Sequence, residues 1–157
     1  MKKSKWIKII AAVAVAGLLI GGGIGAWMFF MPHRDVQKTT TDFKLNANEL
    51  VAEYLGDWQG SNNKYLAADG NSKVLEITGT VARVSDDFNG RKVVLLQEKG
   101  QKAGVNCTFL PETDEQAAAL AKGDVVTIKG VIRSGASFDA DLDMYVHAVI
   151  EKSALVQ

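Results

Sequence analysis

Residues 9–31 form a run of 23 without one charged side chain. Wound as a helix, such a run is roughly 34 Å long, enough to span a hydrocarbon core of about 30 Å with some tilt. Lys2, Lys3, Lys5 and Lys8 precede it, and lysines flanking a first apolar segment favour the cytoplasmic side. The expectation is a single-pass chain. It has a basic cytoplasmic tail over residues 1–8, a transmembrane anchor over 9–31, a linker over 32–42 and an extracytoplasmic domain over 43–157. Trp6 and Trp27 suit the two membrane interfaces.

A cleaved signal peptide is the competing reading. It calls for an apolar core of about 7–15 residues and a small-x-small cleavage site. This run is longer and ends in Trp27-Met28-Phe29-Phe30-Met31-Pro32, and no cysteine near its end suits a lipoprotein signal. An uncleaved signal anchor in an inner (cytoplasmic) membrane, with a periplasmic domain, is favoured. Gly17, Gly21 and Gly25 fall at i, i+4 and i+8 on one helix face, a spacing that lets two membrane helices approach and gives a homo-oligomer as one possibility.

Gln37-Lys38-Thr39-Thr40-Thr41-Asp42 is polar and aperiodic, and reads as a solvated stalk with His33 near its start. The 115 residues from Phe43 onward suffice for one modest core. They carry 12 basic and 16 acidic residues, a net charge of −4. Phosphate backbones select basic patches, so nucleic acid is disfavoured as the main partner. Cys107 is the sole cysteine, and its strand position between Val105 and Phe109 suggests a buried, inert thiol.

Asn46 and Glu49 have capping-box spacing, with Leu45 and Leu50 as a hydrophobic staple. A helix should start there, bury Leu50, Val51, Tyr54, Leu55 and Trp58 on one face, and end at Gly60-Ser61-Asn62-Asn63. Five strand-like runs follow, over residues 73–84, 92–97, 104–110, 124–133 and about 144–151. Asn89-Gly90 marks a hairpin between the first two. Gly79 and Gly130 interrupt the first and fourth, where glycine signals a bulge or bend. Pro111 opens a second helix, with acid in its first turn and Lys122-Gly123 at its end. Residues 134–143 read as a loop. Three meander strands, a helix and two more strands are the plan of an OB-fold, a five-stranded barrel with a helix between strands three and four. Here an extra N-terminal helix and the membrane helix precede it. Another small β-barrel or an open α+β sheet is the rival.

The chain resembles the tRNA-anti-like family of bacterial OB-fold proteins. The resemblance rests on Lys64-Tyr65-Leu66, Leu75-Glu76-Ile77-Thr78-Gly79-Thr80-Val81, Val105-Asn106-Cys107-Thr108-Phe109 and the stretch from Leu120-Ala121-Lys122-Gly123-Asp124 through Val125-Val126-Thr127-Ile128-Lys129-Gly130. It covers residues 46–155 and implies the barrel and, often, a membrane anchor. It supplies no catalytic residue.

The residues point to a non-enzyme without a cofactor. His33 and His147 are the only histidines, and neither a glycine-rich phosphate loop nor a nucleophile elbow is present. Asp139, Asp141 and Asp143 are weak candidates for a hard cation. They lack the glycine and bidentate glutamate of an EF-hand, which would fall at Met144 and Ile150. OB-folds bind through the outer face of strands two and three and the flanking loops, which here offers Phe88, Asn89, Arg91, Asn106, Thr108, Arg133 and Phe138. The leading expectation is a membrane-anchored extracytoplasmic module that binds a protein, peptide or glycan. The alternatives are a nucleic-acid-binding OB-fold and a membrane-tethered oligomeric scaffold.

Overall fold

Alternating strands that each have one wet face must curl or stack to bury the other, and this chain curls them. The computed structural model describes residues 2–30 and 34–157. Met31, the last residue of the expected anchor, and Pro32 and His33 of the expected linker lie outside the described residues. The chain divides into residues 1–34 and 35–157.

In the first unit, helix α1 covers Lys2–Phe29. Its Trp6–Phe29 stretch, of mean hydropathy 2.3, is long and apolar enough to cross a membrane. Nothing lies within 4 Å of where a Cβ would stand on Gly17, Gly21 or Gly25.

The second unit begins with β1 (Phe43–Asn46), α2 (Ala47–Gly56) and α3 (Trp58–Tyr65). The barrel strands are β2 (Val74–Asp86), β3 (Lys92–Leu96) and β4 (Val105–Phe109). A 3-10 turn (Pro111–Thr113) and α4 (Asp114–Ala118) then lead to β5 (Val125–Ser134). A small hairpin of β6 (Ser137–Asp139) and β7 (Met144–Val146) precedes β8 (Ala148–Leu155). The order β2-β3-β4-β8-β5 closes through pairing of β5 back onto β2, with β4 and β8 parallel and the other barrel pairs antiparallel. This is the five-stranded OB barrel that the alternation predicts, with a helix between its third and fourth strands.

Gly79 and Gly130 let the barrel walls close. A Cβ on Gly79 would stand 3.0 Å from the Cβ of Ala47 and 3.1 Å from that of Leu96, and one on Gly130 would crowd the Glu151 carbonyl at 2.7 Å. The pairing of β5 with β8 shifts register at Gly130, between Lys129 and Val131. Inside, Leu75, Ile77, Val94, Leu96, Val105, Cys107, Phe109, Ile128, Ile132 and Ile150 form one buried cluster, joined from outside by Leu50, Val51 and Tyr54 of α2 and Tyr65 of α3.

Several expectations need correction. The N-terminal helix does not run unbroken to Gly60. Asp57 leaves the helical region (φ −146°, ψ 86°), and its Oδ1 accepts the Gly60 N–H at 2.9 Å, which starts a second helix. Trp58, on the far side of that break, is 54% exposed, and Leu55, still within α2 but off its buried face of Ala47, Leu50, Val51 and Tyr54, is 40% exposed. The helix after Pro111 stops at Ala118 rather than continuing to Lys122. The segment read as a loop contains β6, and Met144–Val146 pairs with it instead of opening the last barrel strand. The short β1, which adds to β2 in parallel, was not anticipated.

Residues 35–42, expected as part of a solvated stalk, are docked on the barrel. Val36 is only 2% exposed and packs with Val74 and Val131. The Gln37 side-chain amide donates to the carbonyls of Lys129 (3.0 Å) and Lys152 (2.7 Å), and Lys129 Nζ donates back to the carbonyls of Gln37 and Thr39.

Candidate functional site

The β2–β3 turn is built around one carboxylate. Asp87 Oδ1 accepts the N–H groups of Asn89 (2.8 Å) and Arg91 (2.9 Å), while Oδ2 takes Arg91 Nε and Nη2 at 3.0 Å each. These bonds, the Arg91 amide foremost, hold the Asp87 carboxyl below its ordinary range. Gly90 supplies the positive φ the turn demands. Phe88 is fully exposed at the tip. The Arg91 guanidinium is therefore committed within the turn.

On the barrel wall, Asn106 and Thr108 alternate with the buried Val105, Cys107 and Phe109, so they lie on the outer side of β4. Thr108 faces Val93, and Asn106 lies between Leu95 and Val149. Arg133 near the end of β5 is paired with Glu151 at 2.9 Å. Phe138 on β6 is 48% exposed and tilts against Tyr145 of β7, ring centres 4.9 Å apart. Lys102 Nζ sits 5.2 Å from the Tyr145 ring centre and 3.3 Å from its hydroxyl. Among the described residues no hydrogen bond, ion pair or ring contact joins any two of the seven predicted face residues.

The β6–β7 hairpin also makes a recess that the sequence did not reveal. Tyr54, Leu55, Trp58, Ser137 and Phe138 line a cavity of about 320 Å³. Its walls come from segments about eighty positions apart, so no local pattern could have paired them. Gly135 makes the approach possible, because a Cβ there would fall on the Tyr54 ring. The Tyr54 hydroxyl is buried without a hydrogen-bond partner, and burial pushes its pKa up to about 12. A larger hollow of about 580 Å³ lies between β2, the loop after β3 and Lys122-Gly123. None of the seven predicted residues lines it.

The aspartates of the hairpin serve its turn. Asp139 Oδ1 accepts the N–H groups of Asp141 (3.0 Å) and Leu142 (3.1 Å), and Asp143 adopts φ 49°. Among the described residues no three His, Cys, Asp or Glu side chains are grouped to hold a metal ion. Cys107 is buried, and burial raises its thiol pKa far enough to keep it a neutral core group.

His147 links the hairpin to the barrel. Its Nδ1 accepts the Gly104 N–H at 2.9 Å, a bond that only the form with an unprotonated Nδ1 makes. Burial first, and the positive charge of Arg83 second, depress its pKa below the ordinary 6.5. A depressed folded pKa contributes stability above the unfolded value, lost as pH falls through the folded one. The urea midpoint of the full chain in detergent is expected to drop as pH descends from 6.5. His147→Gln should flatten that segment while leaving the decline below 4.5, where Glu53 and Glu76 titrate. An unchanged profile in the variant would refute the assignment.

The sequence profile of the family described as tRNA_anti-like matches residues 1–141. No curated protein matches the chain. Among solved structures, a Klebsiella pneumoniae protein described as a proposed nucleic acid-binding lipoprotein shares the fold at 14% identity and a TM-score of 0.54, over 81% of this chain and 100% of that one. Lesser similarity extends to the S. pombe Stn1–Ten1 complex (18% identity, TM-score 0.36, 56% of this chain and 62% of that one). It extends also to the OBody NL8 bound to hen egg-white lysozyme (21% identity, TM-score 0.38, 54% and 96%).

Proposed function

The chain belongs to the tRNA_anti-like family, and from that premise we propose that it is a membrane-anchored binding module without catalytic activity. In this reading α1 crosses the inner membrane with Lys2 to Lys8 on the cytoplasmic side. The barrel works outside and receives a protein or peptide partner around the β6–β7 hairpin. The observation that carries the reading is that hairpin. Phe138 is exposed on the hairpin face it shares with Tyr145, Met144 and Val146 on the opposite face, and Leu142 at the turn, and this much exposed apolar surface on one small projection marks an interaction site. A partner that covers them gains roughly 25 cal/mol per Å² of apolar area removed from water.

A photoreactive phenylalanine analogue in place of Phe138, irradiated in intact cells, is expected to capture a discrete polypeptide. No crosslink, together with protection of the barrel from external protease in sealed cells, would overturn the reading.

Nucleic acid is the second reading, motivated by what the Klebsiella protein is described as binding. Single-strand binders pair a basic groove with stacking aromatics. Here Arg91, Lys92 and Arg133 are each occupied by a carboxylate. A gel shift that weakens steeply with salt, with no polypeptide captured from Phe138, would favour that alternative.

A further inference from the structure

We infer that the hollow between β2, the loop after β3 and Lys122-Gly123, together with the notch beside it, binds an uncharged saccharide. The site shares no residue with the recess at the β6–β7 hairpin, and it adds a second ligand class to the polypeptide proposed there.

The site forms where β2 changes partners. Along the edge of β2 opposite β5, pairing runs with β1 as far as Thr78 and with β3 from Val81 onward. Gly79 and Thr80 fall between the two, and the Gln97 N–H closes the far side by donating to the Thr80 carbonyl at 3.0 Å. The handover leaves a notch of about 160 Å³, with Asn48, Thr80 and Val125 on its walls. It adjoins the hollow of about 580 Å³, and Thr80, Gln97 and Glu98 line both. The larger volume falls within the range of small-ligand sites.

The chemistry of the lining selects the ligand. Sugar hydroxyls both donate and accept, and amide and hydroxyl side chains answer both needs. The side chains of Asn48, Thr80 and Gln101 have no hydrogen-bond partner among the described residues. Gln97 commits its Nε2 to the Gln101 carbonyl at 2.7 Å, which leaves Oε1 to accept. The charges are mixed, Glu98 against Lys99 and Lys122, and none of the three is ion-paired among the described residues. A highly charged polymer of either sign therefore meets a like charge. No aromatic side chain lines either cavity among the described residues, so a nucleobase lacks its stacking platform and a peptide lacks a slot for a large anchor. Val125, 71% exposed and directly across the ladder from Thr80, offers an apolar contact to the C–H face of a sugar ring.

The test uses the full chain in phosphatidylcholine nanodiscs, with empty discs as control. Ligand-observed NMR titrations employ tetramers of β-1,4-glucose, α-1,4-glucose and β-1,4-N-acetylglucosamine. At least one is expected to bind with a Kd of about 1 mM or tighter, and to change less than about twofold between about 50 and about 500 mM salt. Asn48→Ala and Thr80→Val, each checked for an unchanged urea midpoint, should weaken that binding about fivefold, while Thr80→Ser retains it. Phe138→Ala should leave it unchanged.

Failure of all three tetramers to bind below about 10 mM overturns the inference. So does indifference to both Asn48→Ala and Thr80→Val. Tighter binding of an oligothymidylate than of any tetramer, weakening steeply with salt, assigns the site to nucleic acid and also overturns it. Loss of sugar binding in Phe138→Ala would move the ligand to the hairpin, with the same consequence. Capture of a polypeptide at Phe138 tests the hairpin alone, so either reading can fall while the other stands.

Discussion

Gly135→Ala is expected to destabilise the barrel unit by about 3 kcal/mol, the upper range for forcing extra volume into a packed site. The added methyl has nowhere to go. It would overlap the Tyr54 ring, and that ring is 1% exposed, with Tyr65 stacked 6.0 Å away. The collision should show as a lower urea midpoint at unchanged slope. A double-mutant cycle identifies the cause. Combining Gly135→Ala with Tyr54→Leu should recover part of the loss, because the smaller side chain vacates the site, and contacting residues couple by about 0.5–3 kcal/mol. Additive losses would show that Gly135 matters for its backbone instead.

Tyr65→Ala is expected to cost more, about 4 kcal/mol, as large aromatic truncations in a core do. Tyr65 is fully buried. Its ring meets Phe43 edge-on at 5.4 Å and stacks on Tyr54, so it joins β1 and both helices to the barrel. Its hydroxyl donates to Glu53 Oε2 at 2.7 Å. Burial alone would raise the Glu53 carboxyl, but Lys64 and this hydroxyl together bring it below its ordinary value. Tyr65→Phe removes only the hydrogen bond and leaves Glu53 with Lys64, so its cost should be about 1.5 kcal/mol. The two variants separate packing from polarity in one denaturation series. Equal losses would mean that the hydroxyl, not the ring, carries the contribution.

The barrel was legible because its strands have one wet and one dry side. The alternation of Val105, Cys107 and Phe109 against Asn106 and Thr108 appears directly as burial on β4. The glycines at 79 and 130 signalled a bulge or bend; the β5–β8 register does shift at Gly130, and at Gly79 Ala47 and Leu96 leave little room for a Cβ. What stayed illegible depends on distance along the chain. Nothing local in Gln37 says that it will bond carbonyls at positions 129 and 152, so residues 35–42 read as a stalk. Leu55 and Trp58 have helical spacing, yet Leu55 falls beside the buried face of α2 and the break at Asp57 carries Trp58 off it. The strands of the β6–β7 hairpin are three residues each, too short for periodicity to register. The predicted face included Phe138 but not Tyr54 and Trp58, which line a recess with it, or Tyr145, whose ring it meets. Arg91 and Arg133 were expected to offer charge to a ligand, and intramolecular carboxylates hold both.

Because β5 closes onto β2, the main sheet ends at a single unpaired edge, the four residues of β1. Around the ring, β3, β4, β8 and β5 each have a paired strand on either side. The margins left for an added strand are the short β1 and the separate β6–β7 hairpin. Runaway stacking between copies requires long open margins, which this closure removes.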